Sequence, residues 1–143
     1  MAVGTGKSVR YFDIAKRVAL KSEFDRAPTG CVVVYKNKVI GTGRNFYKTH
    51  PLQKKYNRYR TFDEHNYPYI RPSVHAEIAA LSSLIDNPDI NWSKVDIYIY
   101  RCCKSREFGL ARPCAGCMQL IRDLGIKNVY YTTDYGVAHE EIL

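Results

Sequence analysis

At 143 residues, with 45% hydrophobic and 25% charged side chains, the chain has the size and balance of one folded domain and not those of a disordered one. No run approaches the ~18 apolar residues of a membrane span, Met1 to Arg10 lacks the apolar centre of a secretory leader, and an odd count of five cysteines argues against a closed disulfide framework. A reduced, cytoplasmic setting is therefore expected. A formal net charge of +8 and a pI near 9.3 favour phosphorylated or polyanionic partners through their summed potential, although a solubilising basic surface gives the same figures.

From Val9 to Phe24, Phe12, Ile14, Ala15, Val18 and Ala19 recur at roughly helical spacing between basic residues, which predicts a first helix, broken by Pro28 and Gly30. Cys31 to Tyr35 and Lys38 to Thr42 read as strands joined by a tight hairpin at Lys36-Asn37. Phe46 to Val74 has no clear periodicity and exceeds an ordinary connection, so it reads as an insertion of about residues 46–74. His75 to Ile85 predicts a second helix with Ile78, Ala79, Leu81 and Leu84 on its apolar face, Ser73 as cap and Pro88 marking its end. Val95 to Tyr100 makes a third strand, Cys114 to Leu124 a third helix stopped by Gly125, and Asn128 to Thr133 a fourth strand. Val137 to Ile142, after a Tyr-Gly turn signal, can add a fifth strand, which its short connection forces antiparallel. The order predicts an α/β fold, a three-layer α/β/α sandwich with a mixed sheet of four to five strands.

Two local motifs carry chemistry. His75-Ala76-Glu77 and Pro113-Cys114-Ala115-Gly116-Cys117 match the paired H-x-E and P-C-x-x-C signature of zinc deaminases. Cysteines three apart on a first helical turn project to one side, and the positive helix end favours the thiolates that bind metal. With His75 as third ligand, a tetrahedral Zn2+ keeps its fourth position for water, the mark of a catalytic site. Glu77 stands two residues from His75, about 200° round a helix interior, so the two converge only if that helix meets the site end-on. Glu77 is then the residue that moves protons. A Cys-x-x-C alone is equally a redox pair or half of a structural zinc site; the upstream His-x-Glu distinguishes the present case. Two weaker matches are set aside. Gly4-Thr-Gly-Lys-Ser8 lacks the first glycine of a phosphate-binding loop, and Cys102-Cys103 with His50, His65 or His139 has poor spacing for a second zinc.

These motifs, with Leu124-Gly-Ile-Lys-Asn-Val-Tyr130, give a chain that resembles the cytidine and deoxycytidylate deaminase superfamily over nearly its whole length, most of all the deoxycytidylate deaminases of phage type. The resemblance implies a cytidine deaminase-like sandwich over residues 1–143, a zinc cofactor and a dimer or larger homo-oligomer. It also implies substrate contacts at Asn45, after the second strand, at Thr29, entering the first, and at Ala76 beside the metal ligand. Arg112, before the Pro-Cys, departs from the family pattern and is expected to meet a substrate phosphate or an acidic neighbour. The tail also departs, lacking the usual helix and parallel fifth strand.

The substrate is the open question. The segment from Arg44 to Arg71 interleaves Lys48, Lys54, Lys55, Arg58 and Arg60 with Tyr47, Tyr56, Tyr59, Phe62, Tyr67 and Tyr69, against Asp63 and Glu64. Basic charge meets phosphate and aromatic faces stack bases, so this segment is the natural recognition element. The resemblance favours dCMP converted to dUMP. The basic segment favours a base in single-stranded DNA or RNA, and a nucleic-acid-binding module with structural zinc leaves Glu77 without a purpose.

Overall fold

The computed structural model describes residues 6–24, 27–60, 72–103 and 108–142. Helix α1 (Gly6–Ala19) leads into strands β1 (Thr29–Tyr35) and β2 (Lys38–Arg44), then helices α2 (Pro51–Asn57) and α3 (Ala76–Leu81). Strands β3 (Val95–Cys102) and β4 (Phe108–Gly109), helix α4 (Ala115–Leu124), and strands β5 (Asn128–Thr133) and β6 (Gly136–Glu141) complete the order. The sheet runs β2-β1-β3-β5-β6, with β4 on the end of β3. The β3 and β5 strands are parallel, and β6 returns antiparallel to β5, as its short connection requires. The expected mixed sheet is present, with six strands.

Burial on both faces explains the unbroken apolar run of β1. Val32 and Val34 turn to one face with Tyr98 and Tyr100, where Tyr11, Phe12 and Ala15 of α1 cover them. Cys31 and Val33 turn to the other with Ile97, Ile99 and Val129, under Ile78 and Leu81 of α3 and Leu120 and Ile121 of α4. Each fully buried Ile or Val here contributes about 1.5–3 kcal/mol. Three layers result. Among the described residues no helix is long and apolar enough to cross a membrane.

Several boundaries depart from the pattern. The first helix ends at Ala19, not Phe24: the chain turns at Leu20 and Lys21, and the Ser22 hydroxyl lies 2.6 Å from Asn45 Oδ1. Lys36 (φ 52°) and Asn37 (φ 63°) both adopt left-handed backbone, the geometry of a two-residue primed hairpin. The second expected helix is regular only to Leu81 and continues in turns through Ser82-Ser83, poor helix formers, while Leu84 still packs on the core. Its cap position is held by His75 and not by Ser73. Gly125, at φ 89°, stops α4 as expected.

Two elements lie where none is expected. Phe108 and Gly109 pair with Cys102 and Arg101, and Thr132 Oγ1 donates to the Gly109 carbonyl at 2.7 Å, stitching this short β4 between β3 and β5. Within the insertion, Pro51 starts α2, and the His50 Nδ1 accepts the Leu52 N–H at 3.1 Å. The ends of the insertion are pinned together: Val74 N–H donates to the Phe46 carbonyl at 2.8 Å, and Phe46 N–H to the Val74 carbonyl at 3.1 Å.

Candidate active site

Two helix starts face each other on the α3 and α4 side of the sheet. His75 is the extended N-cap of α3 (φ −75°, ψ 155°), and its side chain makes no capping hydrogen bond. Glu77 sits in the first turn of the same helix. The end-on approach that lets residues two apart share a site is therefore present, and both line one cleft. Cys114 is the N-cap of α4, its Sγ accepting the Cys117 N–H at 3.4 Å.

The His75 Nδ1 lies 3.5 Å from Cys114 Sγ and 3.4 Å from Cys117 Sγ. A tetrahedral zinc with bonds of ~2.3 Å to sulfur and ~2.0 Å to nitrogen separates such atoms by about 3.5 Å. The donor set therefore fits zinc in both chemistry and spacing. Among the described residues, these three are the one group of His, Cys, Asp and Glu side chains so disposed.

Electrostatics divide the two sulfurs. A hydrogen bond from the Cys117 thiol, aided by His75, pulls the Cys114 thiol down to about 3, the thiolate form a metal requires. Cys117 is pushed up by that same shared proton and by burial. Burial also raises the carboxyl of Glu77, which is 5% exposed, toward the protonated form. Beside the three donor atoms, a carboxyl so placed is within reach to take and return a proton. Cys31, wholly buried behind it, has its thiol raised by burial and by the Glu77 charge and packs in the core.

The cleft beside these groups has a volume of about 220 Å³. Asn45, Thr29, Ala76 and Arg112 all line it, but three of the four have prior engagements. Asn45 Oδ1 accepts the Thr29 N–H at 3.0 Å, and its Nδ2 donates to the Ala27 carbonyl at 2.8 Å. Thr29 Oγ1 donates to that same carbonyl at 3.0 Å. Arg112 grips Glu140 through Nε at 2.6 Å and Nη2 at 3.1 Å, and the Tyr131 hydroxyl donates to the same carboxylate at 2.8 Å. The neighbour of Arg112 is thus the acidic one of the two expected partners.

Sequence reasoning missed Arg101 and Phe24, which also line the cleft. Phe24 stacks on Tyr47 with centroids 4.1 Å apart, and Arg101 donates from Nη1 to the Leu110 carbonyl at 3.2 Å. A readable signal existed for Arg101, because strand ends at the carboxyl edge of α/β sheets are where ligands bind. Of the basic aromatic segment, Phe62, Asp63, Glu64, Tyr67, Tyr69 and Arg71 lie outside the described residues, as do His65 and residues 1–5. His50 caps α2, and His139 Nε2 lies 2.8 Å from Asn128 Oδ1, so neither approaches the Cys102 and Cys103 pair as a metal group.

On this three-layer sandwich, one imidazole and two thiols at facing helix starts, with a buried carboxyl alongside, form the donor set of a zinc centre. The family model for the cytidine and deoxycytidylate deaminase zinc-binding region matches residues 6–133, and the chain belongs to that family, whose zinc is the cofactor that His75, Cys114 and Cys117 are placed to hold. The fold is similar to that of the dCMP deaminase of cyanophage S-TIM5 in apo form, at 21% identity, TM-score 0.59, and 87% of this chain covering 81% of that one. The same phage enzyme in complex with dCMP and dUMP matches at 18% identity and TM-score 0.58, over 87% of this chain and 79% of that one. Cytidine deaminase from Burkholderia pseudomallei matches at 17% identity and TM-score 0.60, over 93% of this chain and 91% of that one. Comparison with curated proteins gives no match.

Proposed function

We propose that the chain hydrolyses the exocyclic amine of a cytosine nucleotide, converting dCMP to dUMP and releasing ammonia. The observation that carries this reading is the buried Glu77 beside the His75, Cys114 and Cys117 cluster, at the floor of a cleft with arginines among its lining residues. Zinc, when bound, supplies a water acidic enough to be deprotonated near neutral pH. Glu77 accepts one proton from the attacking water and delivers it to the ring nitrogen; the second goes to the leaving amine. A carbon–oxygen bond forms, the carbon–nitrogen bond breaks, and both water protons are accounted for in the uracil ring and ammonia. Asn45 shapes the wall against which the sugar lies, Thr29 lines the base pocket, Ala76 keeps the floor open, and Arg101 stands where a substrate phosphate can be met.

At about 220 Å³ the cleft lies below the ~300–1,000 Å³ of sites for drug-sized ligands and has room for a single base. A polynucleotide reading leans on the tyrosines of the basic segment as stacking faces. Tyr56, however, is buried, and Tyr59 is faced by the Arg58 guanidinium at 4.9 Å. Zinc-loaded protein incubated separately with dCMP, cytidine and single-stranded oligonucleotides tests the reading by ammonia release. Turnover is expected with dCMP foremost. Activity confined to oligonucleotides would replace this reading by the polynucleotide one, and ammonia from none of them would remove both.

A further inference from the structure

We propose that α2 is a brace for the metal site, in which Gln53 is the positioning residue that holds His75 where it can ligate. The inference rests on His75 being a zinc ligand.

Gln53 is buried, and its Oε1 accepts the His75 backbone N–H at 2.8 Å. Its amide nitrogen donates to Asn57 Oδ1 at 2.8 Å, one helical turn on, which fixes the orientation of the side chain. The position of the ligand backbone is therefore set from α2 and not from α3 alone. Arg60, just past the end of α2, places Nη1 3.3 Å from His75 Nε2. A guanidinium only donates, and an imidazole that ligates through Nδ1 keeps its proton on Nε2, so no hydrogen bond joins the two in the metal-bound form and the brace rests on Gln53.

The opposite metal-bearing element is tied to the same helix. The Tyr56 hydroxyl donates to Asp123 Oδ2 of α4 at 2.7 Å. A Cβ on Gly116 would lie 2.6 Å from the Tyr56 carbonyl oxygen and 3.3 Å from Arg60 Cγ. The glycine inside Cys114-Ala-Gly-Cys117 is thus what lets α2 close on the sulfur-bearing turn. One short helix holds both halves of the donor set, and the Phe46 and Val74 bridge pins the segment that carries it.

Zinc affinity, measured by competition with a chromophoric chelator, tests this for the wild type and the variants Q53L, Q53E and K55A. Lys55 lies on the exposed side of the same helix and serves as control. Q53L is expected to bind zinc about 10–100-fold more weakly. Q53E keeps an acceptor oxygen for the His75 N–H and should recover most of the loss, which general damage to packing would not do. Thermal unfolding of the metal-free proteins reads any loss of fold separately. Wild-type affinity in Q53L would overturn the brace. A wild type that takes up no zinc would instead overturn the ligand assignment beneath it.

Discussion

Two carboxyl groups near the cleft are treated oppositely by their surroundings. Glu77 is desolvated and raised, whereas Glu140, hydrogen-bonded by Arg112 and by the Tyr131 hydroxyl, is held below its ordinary value. A depressed carboxyl contributes stability at pH values above its unfolded pKa of about 4.3 and loses it as the pH falls through its lower folded value. E140Q should therefore cost about 1 kcal/mol or less in denaturant unfolding at pH 7, with the difference from wild type shrinking toward zero below pH 4. A difference unchanged by acid would mean that Glu140 acts through packing and not through charge. Loss of a ligand has a larger effect: C117S should fail to retain zinc through gel filtration, as measured by metal content. The ligand residues were legible because two short motifs carry all of them. The partner of Arg112 was not, because Glu140 lies 28 residues away and no local pattern relates the segment before α4 to β6. Asn45 and Thr29 were legible as cleft residues, yet their bonds to Ala27 follow from loop conformation, which residue type alone leaves open.

At the level of elements, alternation and punctuation made the long strands and helices readable, and shortness hid the rest. A two-residue β4 offers no alternation to detect, and the inward face of α2 is built from Gln53 and Tyr56 in place of aliphatic side chains. His50-Pro51 was the available start signal for α2, overshadowed by the basic and aromatic composition around it. The Lys36-Asn37 turn was legible as a hairpin, but its residues are not the best for a geometry with two positive φ angles. Replacing the pair by Asn-Gly (K36N/N37G) should stabilise the protein by about 0.5–1 kcal/mol, seen as a higher urea midpoint at unchanged slope. A lower midpoint would show that the Lys36 side chain, whose Nζ lies 5.2 Å from the Tyr35 ring centroid, matters more than backbone strain.

Across the whole molecule, the sheet supplies a rigid floor, and the chemistry is assembled where α3, α4 and α2 converge above it. The metal is a tie between elements distant in sequence, so its binding free energy adds to that of folding. Zinc at 100 times its dissociation constant should add about 2.7 kcal/mol, and chelation should lower Tm by several degrees without altering the fold seen by circular dichroism. Whether the tie also serves catalysis depends on Glu77. The decisive measurement is the turnover of dCMP by E77Q carrying one equivalent of zinc, compared with the wild type at equal metal content. Zinc retention with a loss of about 10²–10⁴-fold in kcat is expected for a carboxyl that moves the protons. A zinc-loaded E77Q that releases ammonia at the wild-type rate would contradict the account.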